Sequence, residues 1–218
     1  MSQDQVVAAT ADVVRRGMWS QPPGDVSGFD GLVEPVIRHR RSARPYGGWF
    51  DEVADLLETI APGLGDQVNV DHDELTVFVP RQQLVSVAQA CRDNARLRFE
   101  MCVSVSGAHY PEESGAELHV LYHLLSLTRN RRLRLEVACP DSDPVIDSVT
   151  GVYPHANWHE RETWDMFGIV FAGHPGLTRI LMPDDWVGHP QRKDYPLGGI
   201  AVEFKGAQNP PVAERRSY

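Results

Sequence analysis

The sequence predicts an α+β fold: a two-layer domain with helices on a largely antiparallel sheet, followed by a helix and a long irregular C-terminal extension. Three observations predict it. Two segments in the first half of the chain repeat apolar residues at helical spacing. Three long segments between Leu97 and Cys139 have strand character, the last two joined by a tight turn near Arg129-Asn130. Beyond Gly168, prolines at 175, 183, 190 and 196 and glycines at 173, 176, 188, 198 and 199 exclude a long helix.

Residues 1–47 contain "QPPGDVSGFDG" and "RHRRSARPYGG", whose Pro, Gly, Ser and charge predict an extended N-terminal arm. Arg38, Arg40, Arg41 and Arg44 around His39 make a basic knot in it. The α+β domain is expected over 48–152. It opens with "DEVADLLETIAPG", where Val53, Leu56, Leu57 and Ile60 form an apolar stripe, acids occupy the first turn and Pro62-Gly63 ends the helix. A hairpin follows, with strands near Val68 to Val70 and Leu75 to Val79 around the turn Asp71-His72-Asp73. In "RQQLVSVAQACRDNAR" the stripe Leu84, Ala88, Cys91 and Ala95 predicts a second helix with Cys91 in the core. "LRFEMCVSVSG" alternates Leu97, Phe99, Met101, Val103 and Val105 with more polar residues, so one face is expected to be core. "ELHVLYHLLSL" and "RRLRLEVAC" complete the sheet. The charged, aromatic helix near 155–167 and its irregular extension occupy 153–199, and 200–218 reads as a tail.

The balance of charge narrows the function. A formal net charge of −9 argues against a general nucleic-acid binder. The most apolar uncharged run, Leu118 to Thr128, is far too short to span a bilayer, and the start lacks a basic segment followed by an apolar one, so a cytoplasmic address is expected. Three cysteines, Cys91, Cys102 and Cys139, are too few for a four-thiolate zinc site or cluster. No glycine-rich phosphate loop or serine-hydrolase elbow is present. His119 and His123 share a strand face with backbone positions about 13 Å apart, and are expected to be half-exposed. His155 and His159, with Glu160 and Glu162 beside them, have helical metal-ligand spacing, but Ala156 stands where a zincin carries its catalytic glutamate. A stand-alone metal-dependent hydrolase using His155, His159 and Glu162 is the rival reading from another class.

Projected as a helix, residues 155–167 place Trp164 and Phe167 with Glu160, and Trp158 with Arg161, Glu162 and Asp165. Charge and apolarity are mixed on each side. Such a helix is expected to be contacted from several directions, with its carboxylates paired to Arg161, Arg179 or Arg192. The thirty irregular residues after it carry Ile169, Phe171, Ile180, Leu181, Met182, Trp186 and Tyr195, so they should lie against protein.

The run from Trp158 to Leu197, through "WHERE", "DMFGI", "GHP", "RIL", "PDDW", "GHP" and "RKDYPL", resembles the 30-kDa, or C-type, subunit family of respiratory complex I, the proton-pumping NADH-quinone oxidoreductase. The likeness covers roughly residues 50–200. His155, Thr163-Trp164 and Thr178 depart from the family pattern. The resemblance implies a peripheral subunit without flavin, cluster, metal or quinone site of its own, in a complex whose FMN, iron-sulfur clusters and quinone sit on other subunits. Its implied neighbours are the D-type (49-kDa) quinone-site subunit and the B-type and I-type iron-sulfur subunits, with membrane association on the cytoplasmic side only through the complex. Trp158, Glu160, Arg161, Glu162, Asp165, His174, Arg179, Asp184, Asp185, Arg192, Lys193, Asp194 and Tyr195 are then expected to serve the partner interface rather than catalysis. Related membrane-bound hydrogenases and dehydrogenases carry equivalent subunits, which leaves a second reading within the same class.

Overall fold

A computed structural model describes residues 14–16, 33–35 and 41–195. The expectations for Arg38, His39 and Arg40, for Pro196 and Leu197 and for the tail fall outside these residues. Strands β1 (Val14–Arg16) and β2 (Val33–Pro35) pair antiparallel within the segment expected to be a plain arm.

Helix α1 (Trp49–Ile60) begins where the Asp51 carboxylate accepts the backbone N–H groups of Tyr46 and Gly47, at 2.9 and 2.8 Å. These bonds turn the chain into the helix and satisfy donors at its entrance. Phe50, Val53, Ala54 and Leu57 face the core. Strands β3 (Val68–Asp71) and β4 (Glu74–Phe78) form the expected hairpin, whose two turn residues, His72 and Asp73, both have positive φ as a two-residue connection demands. Helix α2 (Leu84–Asp93) buries Leu84, Val87, Ala88 and Cys91; it stops at Asn94, so Ala95 lies beyond its end and is exposed.

Strands β5 (Met101–His109), β6 (Leu118–Ser126) and β7 (Arg131–Cys139) are antiparallel neighbours, and β4 joins β7 in parallel to give the order β3-β4-β7-β6-β5. Helix α3 (Ala156–Phe167) covers β5. Gly107 makes room for it, since a Cβ there would lie 2.4 Å from the Phe167 ring.

Strand β5 departs from simple alternation. Cys102 faces the core, leaving Met101 and Val103 exposed where inward positions were expected, and a bulge between Cys102 and Ser104 then sets Val105 inward, as expected. His119 also differs: it is buried against Glu136, with Nδ1 2.6 Å from that carboxylate and Nε2 2.8 Å from the Ala116 carbonyl. Both ring nitrogens face acceptors. Burial acts to lower the imidazole's pKa, but the Glu136 carboxylate overrides it and the net direction is upward. His123 is half-buried between Ser104 and Arg134, as expected of a partly exposed strand histidine.

Two three-residue strands had no sequence pattern to announce them. β8 (Val145–Asp147) pairs in parallel with β9 (Val170–Ala172), burying Ile146 and Phe171. The extension after α3 therefore starts as a strand and turns irregular beyond Ala172. Among the described residues no helix is long and apolar enough to cross a membrane.

Candidate partner interface

Helix α3 buries Ala156, Glu160, Thr163 and Phe167 along one stripe, at offsets of four, three and four residues, and adds Asp165 and Met166 beside it. Two carboxylates thus enter the interior on one helix. Gly168 ends the helix at φ +80 and donates its N–H to the Trp164 carbonyl at 2.8 Å. A side chain at 168 would also collide with the His189 ring, 2.7 Å from the ideal Cβ position.

The fully buried Asp165 organises the irregular extension. Its Oδ2 accepts the consecutive backbone N–H groups of Ile180, Leu181 and Met182 at 3.1, 2.9 and 2.9 Å, while Oδ1 pairs with the Arg179 guanidinium. Burial acts to raise the carboxyl's pKa; the three N–H groups and Arg179 override it and hold Asp165 below the usual carboxylate range. Arg179 spends its other amino group on the carbonyls of Trp186 and Gly188, at 2.8 and 3.3 Å. One ion pair therefore fixes two stretches of backbone that have no sheet to join.

The remaining ties follow the same logic. Arg161 donates to the carbonyls of Thr178 and Arg179 at 3.1 and 3.0 Å. His189 Nδ1–H reaches the Asp165 carbonyl at 3.0 Å, and the Gln191 N–H reaches that of Met166 at 3.0 Å. His174 donates from Nε2 to the Asn157 carbonyl and accepts the Gly176 N–H at Nδ1. At the far end Arg192 bridges Asp194 and Asp141, the Lys193 N–H is accepted by His109 Nδ1 at 3.0 Å, and the Tyr195 hydroxyl reaches the Val187 carbonyl at 3.4 Å. Residues 173–195 are a strap bound to α3 mainly by side chains, with its far end tied to Asp141 and His109.

Three expectations are corrected. Glu160 meets no arginine or lysine among the described residues: its carboxyl accepts the Ser148 hydroxyl at 2.6 Å and the Val149 N–H at 2.8 Å, and burial outweighs both bonds, pushing its pKa to about 7. Glu162 is exposed rather than buried. Arg161 serves backbone carbonyls, so of the three arginines only Arg179 meets a carboxylate of the helix. Trp158, Asp184, Asp185 and Lys193 are exposed as well, with Arg161 5.1 Å from the Trp158 ring centroid. Ser148, His109 and Asp141 carry parts of the site that sequence reasoning missed, because nothing in their own neighbourhood announces a distant partner.

His155 and His159 do meet, with Nε2 atoms 3.3 Å apart. No group of three or more potential metal ligands occurs among the described residues, so the constellation a metal hydrolase needs is not assembled there. A cavity of about 350 Å³ lies elsewhere, between Arg41, Phe78, Tyr110, Glu113, His119 and Glu136, and includes none of the motif residues.

The profile of the respiratory-chain NADH dehydrogenase 30 kDa subunit family matches residues 77–201. The chain belongs to that family. It is 55% identical to the C-type subunit of NADH-quinone oxidoreductase from Nocardioides sp. over 227 aligned positions, covering 100% of this chain and 91% of the relative. Identity to the corresponding subunit of Mycolicibacterium gilvum is 59%, covering 94% and 93% of the two chains. A solved chain from an archaeal respiratory membrane complex, the membrane-bound sulfane sulfur reductase, shares the fold with a TM-score of 0.53 at 22% identity, over 67% of this chain and 85% of that one. The matched family segment takes in β5 to β7, α3 and the whole strap, so the geometry above belongs to the family's own region.

Proposed function

We propose that this chain is a non-catalytic subunit of the peripheral arm of complex I, on the cytoplasmic side of the membrane, where it holds the quinone module in place. The observation that carries the reading is the use to which the reactive side chains are put. Asp165, Arg179, His174 and His189, which in sequence look like the parts of an active site, are bonded to backbone and fix the strap. Groups so committed orient a surface; they do not present a proton or nucleophile to substrate.

The cofactors of the complex are assigned to other subunits. Cys91, Cys102 and Cys139 are each buried, with thiols pushed by burial to about 12, 12 and 11, which does not fit thiolate ligation of a cluster. The partners proposed are the D-type subunit, with the B-type and I-type subunits nearby, met through α3 and the strap. Fixed geometry between such subunits matters because electron transfer needs centres held in position.

The test is Arg179→Glu in the intact complex. Placing a second carboxylate against Asp165 leaves a buried charge unpaired, at a cost of about 3 to 5 kcal/mol. The amount of assembled complex on native gels should fall severalfold, while NADH-to-quinone turnover per assembled complex stays near the parent value. Normal assembly with lost turnover would reverse the reading and place catalysis in this chain.

A further inference from the structure

We propose that the outer side of α3 and the strap docks its partner through an apolar centre, Trp158 with Leu181 and Val187, rimmed by carboxylates that receive lysine and arginine side chains. This rests on the reading that helix and strap hold the chain in complex I, and it adds the chemistry of the surface on the other side. Trp158, Leu181 and Val187 are 59%, 59% and 76% exposed, in a chain whose other tryptophans and tyrosines among the described residues are at least partly buried. A freely solvated indole of that size is an unusual use of a large apolar side chain, and aromatic residues are characteristic anchors of protein interfaces.

The centre is already ordered. The Arg161 guanidinium lies 5.1 Å from the Trp158 ring centroid and is itself fixed by the carbonyls of Thr178 and Arg179, which ties the indole to the strap two residues before Leu181. Asp165 sets the backbone of Leu181, and Arg179 holds the carbonyls on both sides of Val187. Little conformational freedom remains to be lost on docking, which favours affinity.

The rim supplies the sign. Glu162 stands one helical turn after Trp158, and Asp184 and Asp185 lie in the turn between Leu181 and Val187; all three are exposed. Several other surface acids have an arginine within reach, as in Asp55 with Arg44, Asp93 with Arg92, Asp143 with Arg81 and Asp141 with Arg192. Glu162, Asp184 and Asp185 pair with no arginine or lysine among the described residues, and Arg161, the cation beside them, is engaged by carbonyls. Three carboxylates without an arginine or lysine partner among the described residues, around an apolar centre, suit a partner with an apolar recess and a basic border, and repel an acidic one.

Purified full-length chain is titrated onto membranes from cells whose complex lacks it, and the bound fraction is read on native gels. Trp158→Ala should weaken rebinding roughly 30-fold, the loss of a central aromatic anchor. The combined Glu162→Lys, Asp184→Lys, Asp185→Lys variant should weaken it about tenfold or more at low salt, with the difference shrinking at 0.5 M salt, a concentration of roughly that order being enough to screen exposed charges. Both variants should unfold at the parent temperature, because every altered side chain is exposed. Parent-like rebinding of Trp158→Ala or of the charge-reversed variant overturns the proposal, and tighter rebinding of the latter means an acidic partner. If those variants rebind normally while Asp165→Asn does not, this face is wrong and the subunit role stands; if the parent chain itself does not rebind, the role falls with it.

Discussion

Glu160 and Asp165 sit five residues apart on one helix, both fully buried, and their environments drive them in opposite directions. Asp165 has an arginine and three N–H donors, and ionises readily. Glu160 has one hydroxyl and one N–H against burial, and its pKa rises to about 7. For an acid whose folded pKa exceeds its unfolded value of about 4.5, the folded state binds more protons between the two values, so stability falls as pH rises through that window. The contribution is complete below about pH 4.5 and lost by about pH 7 and above, an effect on the order of 3 kcal/mol. Glu160→Gln keeps an acceptor for the Val149 N–H and a donor for Ser148 and cannot ionise. Urea unfolding should show it close to the parent at pH 5 and more stable than the parent at pH 8. An identical gap at the two pH values would mean that Glu160 is ionised in the folded protein at both.

At the scale of elements, legibility followed the length of the pattern. The stripes of α1 and α2, the hairpin turn at Asp71 to Asp73 and the run of β5, β6 and β7 were all readable because each repeats a period several times. The inward face of β5 near Cys102 was not, since the bulge between Cys102 and Ser104 puts Cys102 and Val105, three positions apart, on the same side. β8 and β9 are three residues each, too short for any period to register. For the site, the mixed faces of α3 correctly implied contact from several sides, but not which group meets which carboxylate. Ser148 meets Glu160 across 12 positions, and Lys193 meets His109 across 84. The packing of α3 on β5 gives a direct check through Gly107, where a Cβ would lie 2.4 Å from the Phe167 ring. Gly107→Ala should cost about 1 to 3 kcal/mol in urea unfolding by forcing that ring aside. Phe167→Leu should cost less in the Gly107→Ala background than alone, and strict additivity of the two would separate them in space.

Over the whole molecule, the strap poses the question of whether the chain opens as one unit or two. Its amides at Ile180, Leu181 and Met182 are bonded to the Asp165 side chain instead of a strand ladder, while Gln191 and Lys193 are bonded to α3 and to His109 at the sheet. Between these anchors the backbone is held by Arg179, which itself depends on Asp165 for its charge partner. Removing the carboxylate's charge should therefore loosen the strap beyond the three residues it touches, without reaching the central strands, whose bonds and packing are independent of it. In hydrogen exchange, Asp165→Asn should lose protection at Ile180 to Met182 and also at Gln191 and Lys193, with β6 and β7 exchanging as in the parent. Retained protection at Gln191 and Lys193 would divide the strap into two separate tethers, and faster exchange in β6 would make α3, strap and sheet a single cooperative unit.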